Sequence, residues 1–220
     1  MAHIDDELEG LKREMLGMWT LVQLQLKKGL ESLTKLDKDL AREVILSEKR
    51  VNSYELKLDR DCENIFALFS PVAVDLRYVL AVLKINNNLE RIGDIAEGIA
   101  RFVVDVDDNS FDNNLLDISE LLLMYEECIS MMESLKIAFE TEDTKLARSI
   151  FKQDEILDEI NFNANEIIAN YIRNNIDKTE QGLYALSIIR KLERVGDQCK
   201  NIAEEIIFYV EAKVLKHKKD

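Results

Sequence analysis

The sequence predicts an all-α protein built as two pseudo-symmetric three-helix bundles, and three observations lead to this fold class. Apolar residues make up 47% and charged residues 33% of the chain, whereas chain breakers are scarce, with seven glycines and one proline. Apolar positions recur at steps of three and four over long segments, which is the spacing of one helical face. A six-residue motif at Leu89 to Asp94 returns at Leu192 to Asp197, which indicates a duplicated unit.

The apolar stripes divide the chain into six long helices joined by short turns. The predicted helices cover about 8–36, 39–69, 71–104, 115–140, 143–174 and 179 onward into a lysine-bearing tail. The predicted starting residues are Asp37 or Asp39, Ser70 before Pro71, Thr141 or Asp143, and the run from Asp177 to Thr179. The single tryptophan, Trp19, lies on the stripe of the first helix, so we expect it in the core or at a contact between the bundles.

The domain boundary is predicted at an acidic, asparagine-bearing stretch without apolar period, from Asp105 to Asn114. Residues 1–106 then form the first bundle, 107–114 the linker and 115–220 the second bundle. Because the two halves repeat the same plan, a pseudo-twofold axis should relate them. A single six-helix bundle is the alternative.

The formal net charge of −14 argues against nucleic acid as a partner, since binding to phosphates depends on lysine and arginine. The three cysteines, Cys62, Cys128 and Cys199, are widely spaced, so we interpret them as reduced thiols of a cytoplasmic protein. The first residues are acidic, unlike a signal peptide. No apolar run approaches the roughly 20 residues that span a bilayer. Any contact with a membrane should therefore be peripheral, through partners.

Each copy of the motif places two carboxylates four residues apart, on one face of a helix. The preceding helix of each half carries a further oxygen-rich pair at the same spacing, so that four side chains would meet if the helices face each other. The pairs are Glu90 with Asp94 and Glu48 with Asn52 in the first half, and Glu193 with Asp197 and Asp154 with Asp158 in the second. Like charges at this spacing repel and need a cation. The pattern predicts a metal site in each half.

The ligand types indicate the class of metal. Carboxylates and amides suit hard cations such as Mg²⁺, Mn²⁺, Ca²⁺ or Fe³⁺, and they disfavour tetrahedral zinc. The two histidines, His3 and His217, lie at the chain ends, outside these pairs. No phosphate-binding glycine loop, GxSxG or HExxH motif is present, and the Glu-x-x-His motifs of oxidative di-metal bundles are missing, so we do not expect an enzyme.

Ordinary helix chemistry is the alternative to the metal sites. Arg91 and Arg194 each lie three residues before an aspartate of the motif, and Arg190 lies three before Glu193, so simple surface ion pairs would also fit. The motif glycines, Gly93 and Gly196, each cost a helix about 1 kcal/mol relative to alanine. They suggest a close approach by a facing helix or by a bound ion.

Four segments resemble the PhoU family of phosphate-signalling proteins, and together they extend the likeness over nearly the whole chain. They are Ser70 to Arg77 with Val79 to Ile85, Leu89 to Ala100, Gln153 and Asp154 with Leu157 to Glu159, and Ile189 to Glu204. The resemblance implies two three-helix bundles with metal clusters at E/DxxxD motifs, and it adds Asp75 and Asn201 as candidate ligands. The first copy departs from the family pattern, with Glu48 in place of the usual aspartate, Asn52 uncharged and Gly98 opposite Asn201. If one cluster alone holds metal, we therefore expect the second.

The same resemblance implies a negative regulator of phosphate uptake and phosphate-starvation signalling. Its implied partners are the ATPase of the phosphate ABC transporter and a membrane sensor histidine kinase. Three alternatives remain: a related module that regulates another transporter, a carboxylate metal enzyme, and a plain helical scaffold. A homodimer through exposed helices near Met131 and Met132 is a further expectation, although such methionines more often complete a core.

Overall fold

A computed structural model of the chain describes residues 2–106 and 111–215, with side chains from residue 4 onward. Within these ranges the chain forms seven α-helices and no strand, which confirms the all-α prediction. The helices are α1 (Ala2–Lys35), α2 (Lys38–Phe69), α3 (Ala73–Asp105), α4 (Asn113–Ile118), α5 (Leu121–Thr141), α6 (Thr144–Asn174) and α7 (Thr179–Glu211). A short 3₁₀ turn, Ile176–Lys178, precedes α7.

The long helices pack as two bundles of three. α1, α2 and α3 contact one another in the first half, and α5, α6 and α7 do so in the second. α3 also lies along α7, and α1 packs on α5, so the buried apolar residues of both halves form one continuous core. The pseudo-symmetric bundles of the sequence prediction are therefore present, joined through a broad shared interface.

Polar contacts also join the two halves across this interface, among them one made by Trp19 and one made by Lys84. The indole Nε1 of Trp19 donates to the carbonyl oxygen of Met132 at 3.1 Å, and the indole is fully buried. The Nζ of Lys84 on α3 lies 3.0 Å from the buried carboxylate of Glu205 on α7. Trp19 is thus a contact between the bundles, as predicted from its position on the apolar stripe.

Of the four predicted helix starts, two are correct and the one at Ser70 is wrong, whereas α7 begins at Thr179, within the predicted run, without a side-chain cap. Asp37 and Asp143 cap α2 and α6, each accepting hydrogen bonds from two backbone amides. Ser70 does not begin α3; it ends α2 in the left-handed conformation, with φ 49°. Pro71 explains why α2 stops at this point, since the residue before a proline is disfavoured in the right-handed α region, and α3 begins only at Ala73.

The predicted fourth helix is broken into α4 and α5 at Glu120, which has φ 51°. Leu115 and Leu116 are buried because α4 lies against α5, α6 and α7 instead of continuing the line of α5. The free energy gained by burying these leucines thus exceeds the cost of interrupting the helix. The helix also begins at Asn113, inside the predicted linker, whereas positions 107–110 of that linker lie outside the described residues.

Met131 and Met132 are fully buried in the core. They therefore provide no surface for a homodimer, which would need another face of the molecule. Cys62, Cys128 and Cys199 are buried free thiols, as the sequence predicted.

Candidate metal-binding site

In each half, carboxylates of the second and third long helices lie close enough for their charges to act on one another, which gives one cluster in each half. The first cluster consists of Glu48 on α2 with Glu90, Asp94 and Glu97 on α3, whose charges act on one another. The second cluster consists of Asp154 and Asp158 on α6 with Glu193 and Asp197 on α7. Both clusters lie where the second and third long helices of a half pack against each other.

Glu48 is the buried centre of the first cluster. Its side chain points into the bundle and is only 5% exposed. Burial raises the pKa of this carboxyl to about 7, and the charges of Asp94, Glu97 and Glu90 add to the increase. Gln25 of α1, itself 1% exposed, donates from Nε2 to Oε2 of Glu48 at 2.9 Å and opposes the shift.

Two buried oxygen atoms of the first cluster have no hydrogen-bond partner. They are Oε1 of Glu48 and Oε1 of Gln25. A buried oxygen without a donor or a cation is costly, by about 1–3 kcal/mol for a neutral group and more for a charged one. The first cluster is therefore short of positive charge.

Asp154 is the buried centre of the second cluster, at 3% exposed, but its charge is compensated. The Nζ of Lys200 lies 2.5 Å from Oδ2 of Asp154 and 2.9 Å from Oδ1 of Asp197. Burial raises the pKa of Asp154, and Lys200 opposes this increase. Burial alone would lower the pKa of Lys200, but its two carboxylate partners raise it above the ordinary value.

The motif glycines make room for the buried carboxylates of the facing helix. A Cβ atom at Gly196 would lie 2.6 Å from Oδ1 of Asp154 and 2.7 Å from Cδ2 of Leu157. A Cβ atom at Gly93 would lie 3.0 Å from Oε2 of Glu48. Close helix contact therefore explains both glycines, and it is the contact that places a carboxylate at each cluster.

The comparisons with known proteins agree with the duplicated architecture. The family model described as the PhoU domain matches residues 15–103 and again 121–206. The chain belongs to the PhoU family.

Relatives of this PhoU chain cover nearly its full length. The phosphate-specific transport system accessory protein PhoU homolog 1 of Thermotoga maritima is 31% identical over 215 residues, covering 98% of this chain and 92% of that protein. The PhoU protein of Escherichia coli K12, also named a phosphate-specific transport system accessory protein, is 31% identical over 211 residues, which cover 96% of this chain and 86% of that one.

Solved structures of the family have the same fold. The crystal structure of PhoU from Pseudomonas aeruginosa has a TM-score of 0.88 at 28% identity and covers 95% of this chain and 99% of that one. The regulatory protein PhoU of the phosphate transport system of Streptococcus pneumoniae has a TM-score of 0.86 at 28% identity, with coverages of 97% and 99%.

The remaining predicted ligands of this PhoU chain differ in their positions. Asn52 and Asp158 are exposed, four residues after Glu48 and Asp154 respectively. Asn201 lines a cavity of about 880 Å³ on the solvent side of the second cluster, together with Asp197 and Arg148.

The structure does not bring Asp75 to either cluster. Asp75 lies in the first turn of α3, beside Tyr78, Glu142 and Tyr209. It is fifteen residues before Glu90 on the same straight element, a distance of about 22 Å at 1.5 Å per residue. On α7, Tyr209 lies twelve residues after Asp197, which is about 18 Å at the same rise per residue. Asp75 is therefore too far away to share an ion with either cluster.

The ordinary ion pairs that were the alternative to a metal site are not formed. Within residues 4–106 and 111–215, neither Arg91 nor Arg194 has a carboxylate oxygen within 4.0 Å. Arg190 donates instead to the amide oxygen of Asn165 at 3.1 Å. The motif arginines therefore do not neutralise the motif aspartates.

Sequence reasoning missed Gln25, Glu97 and Lys200, and each left a signal. Gln25 is a polar residue between apolar neighbours on the first helix, which marks a buried hydrogen-bond partner. Glu97 and Lys200 occupy the same position of the repeat, three residues after the motif aspartate, with opposite charge. Comparison of the two copies beyond the motif itself would have found both.

The residues of the first cluster fit a hard cation. All donors are carboxylate or amide oxygens, and two buried oxygens have no partner. Within the described part of the chain, no three carboxylate, histidine or cysteine side chains already converge on one point. Glu90 is half-buried and Asp94 is exposed, so their side chains would have to turn inward around an ion. In the second cluster the ammonium of Lys200 lies between two of the carboxylates.

Proposed function

We propose that this chain is a negative regulator of phosphate uptake and of phosphate-starvation signalling. It works in the cytoplasm by protein contacts, with the ATPase of a phosphate ABC transporter and with a membrane sensor histidine kinase, and without nucleic acid. The observation that carries the proposal is the full-length relationship to proteins named accessory proteins of the phosphate-specific transport system. Across residues 2–106 and 111–215, no helix qualifies as a membrane span. The proposed contact with the membrane is made through these partners.

The proposed role of metal is structural and not catalytic. A hard cation such as Mg²⁺, Mn²⁺, Ca²⁺ or iron would supply positive charge to carboxylates that repel one another. Glu48, Glu90 and Asp94 would hold it in the first half, with Glu97 in the same cluster, whereas Asn52 lies exposed four residues after Glu48. Neutralising these charges stabilises the contact between α2 and α3. The relatives are named for an accessory role in transport and not for a reaction, which supports a protein that is not an enzyme.

Two exposed apolar side chains at equivalent positions of the repeat support a binding surface. Phe162 on α6 is 84% exposed, and Leu56 on α2 is 64% exposed. Each lies four residues after the second member of its oxygen pair, Asp158 or Asn52, and thus on the same helical face as the cluster. A bulky apolar side chain in water gains free energy when a partner covers it.

Capture of the transporter ATPase tests the proposal. The immobilised chain, loaded with Mn²⁺, should retain the purified ATPase of the phosphate ABC transporter from the same organism. The double variant Phe162→Ser with Leu56→Ser should lose about tenfold or more in affinity, because about 1.4 kcal/mol is one factor of ten and a buried aromatic contact is worth at least that. The melting temperature should change little, since both side chains are exposed.

Ile176→Ser is the matched control. Ile176 is 78% exposed but lies at the turn before α7, away from the clusters, so capture should be unchanged. If the chain captures the ATPase of a different transporter and not that of the phosphate transporter, the result would support the alternative in which it regulates another transporter. Absence of any retained ATPase would contradict the proposed function.

A further inference from the structure

Lys200 occupies the place of a cation in the second cluster. Its ammonium lies between Asp154 on α6 and Asp197 on α7, at 2.5 Å and 2.9 Å. These are the two helices that a bound metal ion would join. Lys200 is 29% exposed while the carboxylate of Asp154 is 5% exposed, so the ammonium closes the buried side of the cluster from solvent.

The first cluster has the opposite charge at the equivalent position. Counted from the motif aspartate, Glu97 in the first copy corresponds to Lys200 in the second. Glu97 pairs with Arg101 on the outer side of α3, at 2.6 Å. Within the described residues, no lysine or arginine lies within 4.0 Å of Glu48, Glu90 or Asp94. Only the second copy of the repeat thus carries its own positive charge.

The buried oxygens show the same difference. In the first cluster, Oε1 of Glu48 and Oε1 of Gln25 are buried without a partner. In the second, Oδ2 of Asp154 is bound by the ammonium. A buried carboxylate needs a charge partner or a metal ion, and only the carboxylate of the first cluster lacks one.

We propose that the ammonium of Lys200 is the permanent cation of the second cluster, and that a hard divalent cation binds only to the first cluster, at Glu48, Glu90 and Asp94. The inference rests on the metal binding included in the proposed function. It reverses the order expected from the sequence, in which the more acidic partner pair of the second half favoured the second cluster. A metal ion at Asp154 and Asp197 would have to displace a bound ammonium, whereas at Glu48 it would satisfy oxygens that lack a partner.

The test is the number of Mn²⁺ ions bound per folded chain, measured by loss of the electron paramagnetic resonance signal of free Mn²⁺. The parent should bind one ion. Lys200→Gln, which removes the charge and leaves a slightly shorter polar side chain, should bind two. Glu97→Lys, which gives the first cluster the charge of the second, should weaken binding of its ion by about tenfold or more. The combination of both changes should bind one ion, now in the second cluster.

Lys191→Gln is the matched control, because Lys191 lies on α7 beside Gly98 and outside both clusters. It should bind one ion, as the parent does. If Lys200→Gln folds poorly without metal, circular dichroism during Mn²⁺ titration should show that the ion restores its helix content. The number of Mn²⁺ ions bound by Lys200→Glu then serves as a second measurement.

Two ions bound to the parent would overturn the proposal while leaving the proposed metal role intact. A single ion that is lost in Glu193→Ala with Asp197→Ala would overturn it as well. No ion bound to any variant would overturn both this inference and the metal part of the proposed function, whereas capture of the transporter ATPase tests the regulatory role separately.

Discussion

Gly196 lies where the carboxylate of Asp154 and the side chain of Leu157 press against α7. The space for a Cβ atom is smaller than at Gly93, where the nearest atom is 3.0 Å away instead of 2.6 Å. Asp154 is held in place by Lys200 and Leu157 is fully buried, so neither neighbour can move aside freely. A methyl group at position 196 therefore adds strain to a packed interface.

We expect Gly196→Ala to lower the free energy of unfolding by about 1–3 kcal/mol, because overpacking outweighs the helix propensity gained from alanine. The melting temperature of a protein of this size should fall by roughly 2–12 °C. Thermal denaturation followed by circular dichroism measures the change. Gly10→Ala is the control, since the nearest atom to its new Cβ is 3.8 Å away, and it should be neutral or stabilising. An unchanged melting temperature in Gly196→Ala would contradict this role of the glycine.

The sequence predicted the residues that form the clusters better than it predicted their partners. Glu90, Asp94, Glu193 and Asp197 could be found because the repeat and the i,i+4 spacing are local properties. Gln25 and Lys200 act from another helix or another turn, and their contact with a buried carboxylate depends on packing. Asp75 was added by family resemblance, and its distance along α3 excludes it.

At the scale of elements, Asp112 fastens the start of α4 to the second half. Its side chain accepts hydrogen bonds from Tyr171 at 2.7 Å, from Lys178 at 2.5 Å and from the backbone amide of Asn114. Its own backbone amide donates to Gln181 at 2.9 Å. Lys178 and Tyr171 lower the pKa of Asp112 to about 2. One carboxylate thus joins α4, α6 and the 3₁₀ turn before α7.

Asp112→Asn should destabilise the protein by about 1–2 kcal/mol at pH 7, because it removes a charge-assisted contact and weakens a helix cap. The folded pKa lies below the ordinary value, so the stabilisation is present above about pH 4 and is lost as the pH falls toward 2. Urea denaturation of parent and variant from pH 7 to pH 2 should show the two curves converging in that window. Asp117→Asn, an exposed change on the same helix, should have no such effect. A difference that stays constant down to pH 2 would contradict the assignment.

The helices themselves were largely predictable, and the exceptions have identifiable causes. Apolar periodicity and the aspartate caps, Asp37 and Asp143, are encoded locally and were found. The break at Glu120 was not, because it follows from burial of Leu115 and Leu116 against distant helices. The start predicted at Ser70 is wrong because a serine before a proline fits the end of a helix as well as its beginning, since a proline disfavours the right-handed α region at the residue before it.

At the scale of the whole molecule, the two halves share one core. Phe139 on α5 packs between Trp19, Tyr78 and Tyr209, with ring centroids 5.7 to 6.1 Å apart, and these side chains come from both halves. The duplicated sequence predicted two similar bundles, but it gave no signal for the extent of this interface. That extent depends on which helical faces meet, which a pattern along one helix does not specify.

The shared core predicts that both halves unfold together. Trp19 is the only tryptophan, and it lies at the interface, so its fluorescence reports on the contact between the halves. In urea, the fluorescence transition should coincide with the helix transition measured by circular dichroism. Trp19→Phe removes a buried hydrogen bond and leaves a cavity. Its unfolding, followed by circular dichroism, should keep one transition with a midpoint at lower urea. Two separate transitions in the parent would show that the bundles are independent.

The most direct measurement of the central claim is an anomalous difference map from crystals of the intact chain grown with Mn²⁺. The expected result is a metal peak between α2 and α3 beside Glu48, Glu90 and Asp94, with the ammonium of Lys200 still bound between Asp154 and Asp197. A peak between α6 and α7 with Lys200 displaced, or no peak at the first cluster at saturating Mn²⁺, would contradict it.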